Sequence, residues 1–504
     1  MGDKDMARQN AQSVERWGLF EVSAPGKTEG NPFLDYTVRG VFRHENETVE
    51  AGGFYDGDGI YKVRFMPSFE GEYTFEISGT FSGAATTGSF SATPAKGNNR
   101  GPVRVANKYH FAYADGTPYY PIGTTCYVWT HQSKKLRDKT LETLKHSPFN
   151  KIRFCIFPKH YIYNLHDPET YPYEGAPCDC STLNDDNFSD SSAWVGNDWD
   201  FTRFNPAHFR RIEGYVAELM QLGIEADVIV MHPYDRWGFK DMGEEADDLY
   251  WSYVASRLSA YRNVWWSLAN EYDLMPEKTA GDWERYASII CQRDPYGRLR
   301  SIHNGMVLYD HSKPWVTHVS FQGASERTGE LREKYGKPVV LDEMCYEGNI
   351  APGWGNIDGE ELVRRFWDAM CRGGYPGHGE TFVQPGGRLW WSHGGELLGE
   401  SAERIRFLSE IMAQTPGGGG LKRLDAWEAT AVPDSAAAGR DYIIVYLDIR
   451  QPNHYYFHFD DDTDYRVEVI DTWDMTITDA GTHRGKMRIN LPGKRYIAVR
   501  FKKI

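Results

Sequence analysis

The hydrophobic positions of this chain change period twice. Between residues 12 and about 103, "LDYTVRGVFRH", "YKVRFMP" and "EYTFEISG" alternate apolar and polar residues, with Gly, Asp and Pro breaking the runs. That pattern predicts half-buried antiparallel strands. "GFYDGDGIYKVRF" predicts a hairpin with Asp58-Gly59 at its turn.

From about 104 to 415 the texture becomes short apolar runs separated by amphipathic helices, the arrangement of parallel strands in an α/β fold. "FNPAHFRRIEGYVAELMQLG" puts Phe209, Ile212, Val216 and Leu219 on one helix face. Asn205 stands as N-cap, Pro206 at the first helical position and Gly223 as C-cap. "IEADVIV" follows as a strand buried on both sides, and a second helix is predicted over roughly 244–260. Strand candidates fall near 119–125, 150–157, 224–231, 264–269, 299–303, 316–321 and 338–342, with an eighth within 374–392. Eight strands over this length predict a (β/α)8 barrel. For the eighth strand "GYPGHGETFV" and "RLWWSHGG" both qualify. After "TPGGGG", a flexible linker ending at Gly420, period-two alternation returns in "DYIIVYLDI", "HYYFHFD", "YRVEVIDTW", "MRINLP" and "RYIAVRF". Residues 421–504 are therefore expected to form an antiparallel β-sandwich. The fold class is multidomain, with a central (β/α)8 TIM barrel at 104–415 between β units at 12–103 and 421–504.

Composition narrows the chemistry. At 504 residues the chain exceeds one ordinary core, and 40% hydrophobic against 25% charged residues is a globular balance. A net charge of −15 argues against nucleic acid or an anionic membrane as partner. The opening "MGDKDMARQN" has no apolar signal region and no run approaches a membrane span, so a cytoplasmic protein is expected. Seven scattered Cys make no disulfide framework, and Cys178 and Cys180 in "APCDCS" read as loop thiols. Asp56 and Asp58 lack the further ligands of a calcium loop and read as turn residues; "DDDTD" at 460–464 reads as a charged turn. The 31 Tyr, 25 Phe and 16 Trp suit both sugar-binding faces and large β-rich cores.

In a (β/α)8 barrel the chemistry sits at the C-terminal strand ends. Strand four, "NVWWSLANEYD", ends in Asn270-Glu271, and strand seven, "KPVVLDEMCYEG", in Asp342-Glu343. A buried strand that ends in a carboxylate needs a partner or a task for it. Strands four and seven face each other across the barrel mouth. Two carboxylates about 5 to 5.5 Å apart are what retaining glycoside hydrolysis requires, one protonated and one ionised. Arg153 in "NKIRFCIF" of strand two is the natural cation to keep a nucleophile ionised. Asp342 should point to the opposite face of its strand, and Glu347 lies well into the loop, which leaves Glu343 as the nucleophile. Other strand ends offer donors and aromatic faces for a hydroxyl-rich ligand. These are Tyr127 and Trp129 after strand one, and His232, Tyr234, Asp235 and Trp237 in "MHPYDRWG" after strand three. His303-Asn304 ends strand five, Phe321-Gln322 ends strand six, and Trp391 falls near strand eight. Each competes with a bland role: a His-Pro loop anchor for His232, core packing for Trp129 and Trp391, a structural ion pair for Arg153.

An Asn-Glu at the end of strand four, a Glu at the end of strand seven and an Arg on strand two resemble clan A glycoside hydrolases, the cellulase-like retaining enzymes. The resemblance implies that Glu271 is the acid/base, Asn270 binds the sugar 2-hydroxyl, Glu343 is the nucleophile, and Trp391 or Trp390 is the strand-eight platform. Over residues 13 to 504, "NPFLDYTVRGVF", "GFYDGDGIYKVRFMP", "ADVIVMHPYDRWGF" and "NVWWSLANEYD" are similar to a group of glycoside hydrolases with an Ig-like N-terminal domain, an apiosidase-like barrel and a C-terminal β-domain. Apiose is one sugar that the resemblance raises.

The long, aromatic and acidic insertion at 159–203 is expected to cover one end of the cleft and turn it into a pocket, favouring removal of a terminal sugar. The expected activity is a retaining, exo-acting glycosidase on a small glycoside or oligosaccharide, with no cofactor; a homo-oligomer is compatible with the sequence. Two other readings compete. A metal-dependent hydrolase on the same barrel would use His303 and His318, but strand one lacks the His-x-His pair. An inactive carbohydrate-binding protein would gain nothing from two opposed carboxylates.

Overall fold

The computed structural model describes residues 12–416, 420–424, 429–433, 440–459 and 462–504. Three glycines of the predicted linker, 417–419, and the first two residues of the 460–464 acidic stretch lie outside the described residues.

The first β unit holds seven strands between Gln12–Glu15 and Thr86–Thr93, antiparallel except where Gln12–Glu15 runs parallel to Thr86–Thr93. Its core is a tight aromatic set in which Phe20 stacks on Phe90 at 3.8 Å and Phe42 on Phe65 at 4.2 Å. The predicted hairpin pairs Glu47–Tyr55 with Ile60–Phe65, and Asp58 and Gly59 take left-handed backbone in its turn. Asp56 is a docking residue: its buried carboxylate meets Arg257 at 2.9 Å, Lys62 at 3.1 Å and Arg210 at 3.2 Å. Arg64 reaches across to Glu213 at 2.8 Å and to the Arg257 carbonyl at 2.7 Å. A paired, buried charge cluster thus joins the first β unit to two barrel helices.

The barrel strands are Gly123–Thr125, Lys151–Cys155, Glu225–Met231, Val264–Ala269, Arg300–Ser301, Val319–Gln322, Val339–Glu343 and Tyr375–His378. All pair in parallel, in the order five-four-three-two-one-eight-seven-six. Strands five and six close the cylinder through Thr317 N to Arg300 O at 2.9 Å and Ser301 Oγ to His318 O at 2.6 Å. The helix Pro206–Leu222 begins at Asn205, whose side chain accepts from Ala207 N, and stops at left-handed Gly223; Phe209, Ile212, Val216 and Leu219 are buried on its inner face. The second helix is Glu244–Leu258. "GYPGHGETFV" supplies strand eight, and Trp390–His393 is a helical turn beyond it.

Residues 159–203 form a lobe over the barrel, with Tyr173–Ala176 paired antiparallel to Asp198–Phe204. C-terminal to the barrel, Tyr442–Tyr446, Asp464–Asp471 and Ile497–Lys503 belong to a six-stranded sheet, and His454–His458 pairs with Lys486–Asn490. The strand Thr476–Arg484, mostly exposed in "TITDAGTHR", shows no alternation to betray it. Tyr442 and Tyr446 tie this unit to the barrel, Tyr446 stacking on Trp367 at 5.6 Å. No helix among the described residues is long and apolar enough to cross a membrane.

Candidate active site

Alternation decides what fills the barrel. Odd residues of strand two point inward, and Lys151 and Arg153 meet Asp227 of strand three and Asp342 of strand seven. Lys151 Nζ lies 2.6 Å from Asp227 and 3.0 Å from Asp342; Arg153 lies 3.7 Å from both carboxylates. Although burial opposes ionisation, Lys151 and Arg153 hold the Asp342 carboxyl well below the usual range. This neutral four-residue layer is the floor beneath the mouth. Arg153, expected as the cation near the nucleophile, is engaged first by Asp342 and Asp227 and more weakly by the Glu343 charge, and it donates to Ser267 Oγ and Asn270 Oδ1, both at 3.0 Å.

Two irregularities bring Glu271 and Glu343 to the mouth. Strand four ends at Ala269, Asn270 N still bonds Met231 O at 3.0 Å, and Glu271 then turns left-handed at φ 48° and ψ 55°. A non-glycine residue there is strained by about 1–3 kcal/mol. The turn breaks the divergence of consecutive side chains, so that Asn270 Nδ2 donates to Glu271 Oε2 at 3.2 Å. On strand seven the register slips: Phe321 pairs with Leu341 but Gln322 with Glu343. The extra residue, Asp342, goes to the interior, and Glu343 reaches the mouth beside Gln322.

The two glutamates line one cavity of about 520 Å³ with Tyr127, Lys159, Tyr161, Tyr234, Gln322, Tyr346, Trp354 and Trp391. The Tyr127 hydroxyl donates to Glu343 Oε1 and lies 3.2 Å from Asn270 Oδ1; the Tyr234 hydroxyl donates to Glu271 Oε2. A continuous chain of polar contacts therefore runs from Glu343 through Tyr127 and Asn270 to Glu271. Burial, and then the neighbouring carboxylates, raise both tyrosine pKa values far above the ordinary phenol, so both remain donors. Burial and the Glu343 charge push the Glu271 carboxyl up to about 7. One carboxyl is thus biased toward the protonated form beside a second that faces the same space, which is what a proton donor and a nucleophile need.

Of the residues read from the sequence, Glu271, Glu343, Tyr127, Tyr234, Gln322 and Trp391 line the cavity, and Asn270 and Arg153 stand behind it. The others lie elsewhere. Trp129 is fully buried against Phe154 and Tyr215 in the main core. His232 Nε2 is 3.3 Å from Phe157 O, and the Asp235 carboxylate accepts from Trp237 N and Lys240 N, so both organise the strand-three loop. His303 sits inside the barrel, where burial, and then Arg153, lower its pKa well below the usual imidazole. Trp390 bonds Thr124 Oγ1 and belongs to the packing. Glu347 is held by the Glu400 and Ser401 amides, away from the cavity. Among the described residues no group of three or more His, Cys, Asp or Glu is placed to hold a metal ion. Lys159, Tyr161, Tyr346 and Trp354 line the cavity without having been singled out in the sequence; they sit in loops, where no period marks direction, and only the aromatic density of the insertion hinted at Tyr161.

Comparison with known proteins agrees with this architecture. A domain of unknown function (DUF5060) matches residues 13–80 and another (DUF5605) residues 427–502. No curated protein matches. A solved structure from Bacteroides vulgatus ATCC 8482, named a "putative glycoside hydrolase", is 34% identical, with a TM-score of 0.89 over 98% of this chain and 100% of that one. A glycoside hydrolase family 5 structure from the same organism, 14% identical, shares the fold at a TM-score of 0.60 over 80% of this chain and 94% of that one. Residues 105–392, the segment that carries all eight barrel strands and both glutamates, match the family described as apiosidase-like, catalytic domain, and the chain belongs to that family.

Proposed function

We propose that this protein is a retaining, exo-acting glycoside hydrolase of the clan A type that removes a terminal sugar from a small glycoside or oligosaccharide by double displacement. Glu271 is the acid/base and Glu343 the nucleophile. In the first step the protonated Glu271 gives its proton to the glycosidic oxygen as the Glu343 carboxylate bonds the anomeric carbon and the aglycone leaves. In the second, the Glu271 carboxylate takes a proton from water, whose oxygen displaces Glu343 and frees the sugar. Asn270, held by Arg153 and donating toward Glu271, binds a sugar hydroxyl in this reading, and Trp391 is the aromatic wall.

The observation that supports this most is the shared cavity: two glutamates from strands four and seven, joined through Tyr127 and Asn270, with the carboxyl of one raised to about 7. The exo mode is supported by Lys159 and Tyr161 of the insertion and Trp354 beyond strand seven, which line the cavity. In this reading the units at 12–103, Ig-like, and 421–504, a β-sandwich, flank the catalytic unit at 104–415. Turnover of an aryl glycoside panel followed by NMR tests it. The sugar should appear first as the anomer it held in the substrate, and Glu343→Gln should abolish turnover; an inverted first product contradicts double displacement.

A further inference from the structure

Lys159 brings a charge into the cavity with no ion-pair partner in contact among the described residues, balanced only at longer range by Glu271 and Glu343. It opens the insertion after "IFP" and is only 2% exposed. Its ammonium lies 3.6 Å from the centre of the Tyr127 ring, 4.0 Å from Tyr234, 4.7 Å from Trp391 and 5.7 Å from Tyr161. Tyr127 and Tyr234 are the residues whose hydroxyls hold Glu343 and Glu271. Among the described residues no carboxylate lies within 4.0 Å of Lys159 Nζ, and none of its three N–H groups has a hydrogen-bond acceptor. Burial lowers its pKa, while Cys155, Glu271 and Glu343 act to raise it.

Ring faces attract the charge but accept none of its directional bonds. The ammonium opens onto the cavity without a protein acceptor among the described residues, so a ligand there that supplies oxygens gains charge-assisted hydrogen bonds. Two kinds of sugar could supply them. A uronic acid would bring a carboxylate into a site that already holds Glu271 and Glu343. The other cations at the cavity edge are already engaged: Arg364 with Glu361 at 2.7 Å, and Arg365 with Glu361 at 2.7 Å and the Met344 carbonyl. With an ionised nucleophile opposite Lys159, a second anion in a desolvated pocket stays uncompensated. A neutral sugar brings hydroxyl oxygens and no charge.

Resting on the glycosidase reading above, we propose that Lys159 is a specificity residue of the sugar site. It donates to a hydroxyl of a neutral sugar lying between Glu271 and Glu343, and the site discriminates against uronic acids. A charge-assisted hydrogen bond of this kind is worth about 1.5–3 kcal/mol, or roughly 10- to 150-fold in affinity.

The test uses 4-nitrophenyl pyranosides and furanosides of neutral sugars, the matched uronides, and the monodeoxy analogues of the best neutral substrate. Wild-type protein should favour the neutral substrate over its uronide at least about 100-fold in kcat/KM, a comparison that needs no variant. Lys159→Met should lose roughly 10- to 150-fold on the parent sugar yet little on one monodeoxy analogue, the one lacking the hydroxyl that Lys159 reads. Equal or better turnover of the uronide, or the same loss on every deoxy analogue, overturns the proposal while leaving the catalytic reading intact. Saturation-transfer NMR of the same compounds separates the reverse case. Neutral sugars bound in preference to uronides but never hydrolysed support Lys159 and refute the catalytic reading; absence of binding by any of them refutes both.

Discussion

Glu271 is constrained in backbone and side chain alike. Its backbone is left-handed, its carboxyl is buried beside another carboxylate, and two donors hold one of its oxygens. Because its pKa is raised to about 7, the acid form persists to near-neutral pH and is lost above it. We therefore expect kcat/KM to fall as pH rises through about 7, and this alkaline limb to vanish in Glu271→Ala. The same variant should keep most of its activity on dinitrophenyl glycosides, whose leaving groups need no proton, and lose on the order of 100-fold or more on alkyl glycosides. Equal losses on both would remove Glu271 from the acid role. The two glutamates and Asn270 were legible in the sequence because each ends a run whose apolar residues announce a buried strand. Arg153 was legible as a buried cation but not its partners, since Asp227 and Asp342 stand inside otherwise apolar strands and alternation alone does not tell which carboxylate a guanidinium will meet. Lys159 left no signal: one lysine in a loop reads as solvated until the aromatic rings around it are placed.

At the scale of elements, short irregularities do the positioning. The slipped register between strands six and seven delivers Glu343, and the loops after strands seven and eight are locked together behind it. Glu347–Gly348 pairs with Glu380–Thr381, and a Cβ on Gly348 would lie 2.0 Å from Thr381 Oγ1 and 2.8 Å from Gly355 O. Both contacts are tighter than any side chain tolerates. Gly348→Ala should push these loops apart, cost about 1–3 kcal/mol in urea unfolding, and raise KM more than it lowers kcat, because Tyr346 and Trp354 frame the cavity from this loop. An unchanged KM would show that the loop does not shape the site. Elements with a strong period were legible: the helix Pro206–Leu222 matches its predicted cap, first turn and stop, and Asn205→Ala should cost about 1 kcal/mol without touching activity. The slip and the exposed strand Thr476–Arg484 were not, because neither a bulge nor a solvated strand leaves a periodic trace.

Across the whole molecule, both flanking β units share the barrel's apolar core, and the first adds a buried charge cluster. The C-terminal unit packs Tyr442, Ile444 and Tyr446 into the barrel's own core; the first unit packs Phe54 into the same core and adds the cluster of Asp56, Arg64, Glu213 and Arg257. Although burial opposes it, Arg64 and Arg257 depress the Glu213 carboxyl from 4.5 to about 2. A carboxylate depressed on folding contributes stability that is complete above its unfolded value. Stability should therefore fall as pH drops from about 4.5 toward 2, a trend visible in thermal unfolding curves and flattened in Glu213→Gln. That variant takes one of two carboxylates from Arg257 and from Arg64, which keep Asp56 and Glu21, and should cost about 1–3 kcal/mol at neutral pH; no cost with an unchanged acid limb would mean that the cluster does not hold the units together. The three-part architecture was legible because period two, then mixed period, then period two again is a property of long stretches. How the parts dock was not, since the docking charges are scattered along the chain. The central claim, that opposed glutamates in one cavity carry out double displacement, is tested most directly by mass spectrometry after incubation with 2-deoxy-2-fluoro aryl glycosides. The account predicts a protein heavier by one fluorosugar, with the label on the peptide that contains Glu343. A labelled peptide from another strand, or an enzyme that turns over the parent glycosides yet never accumulates the adduct, would contradict it.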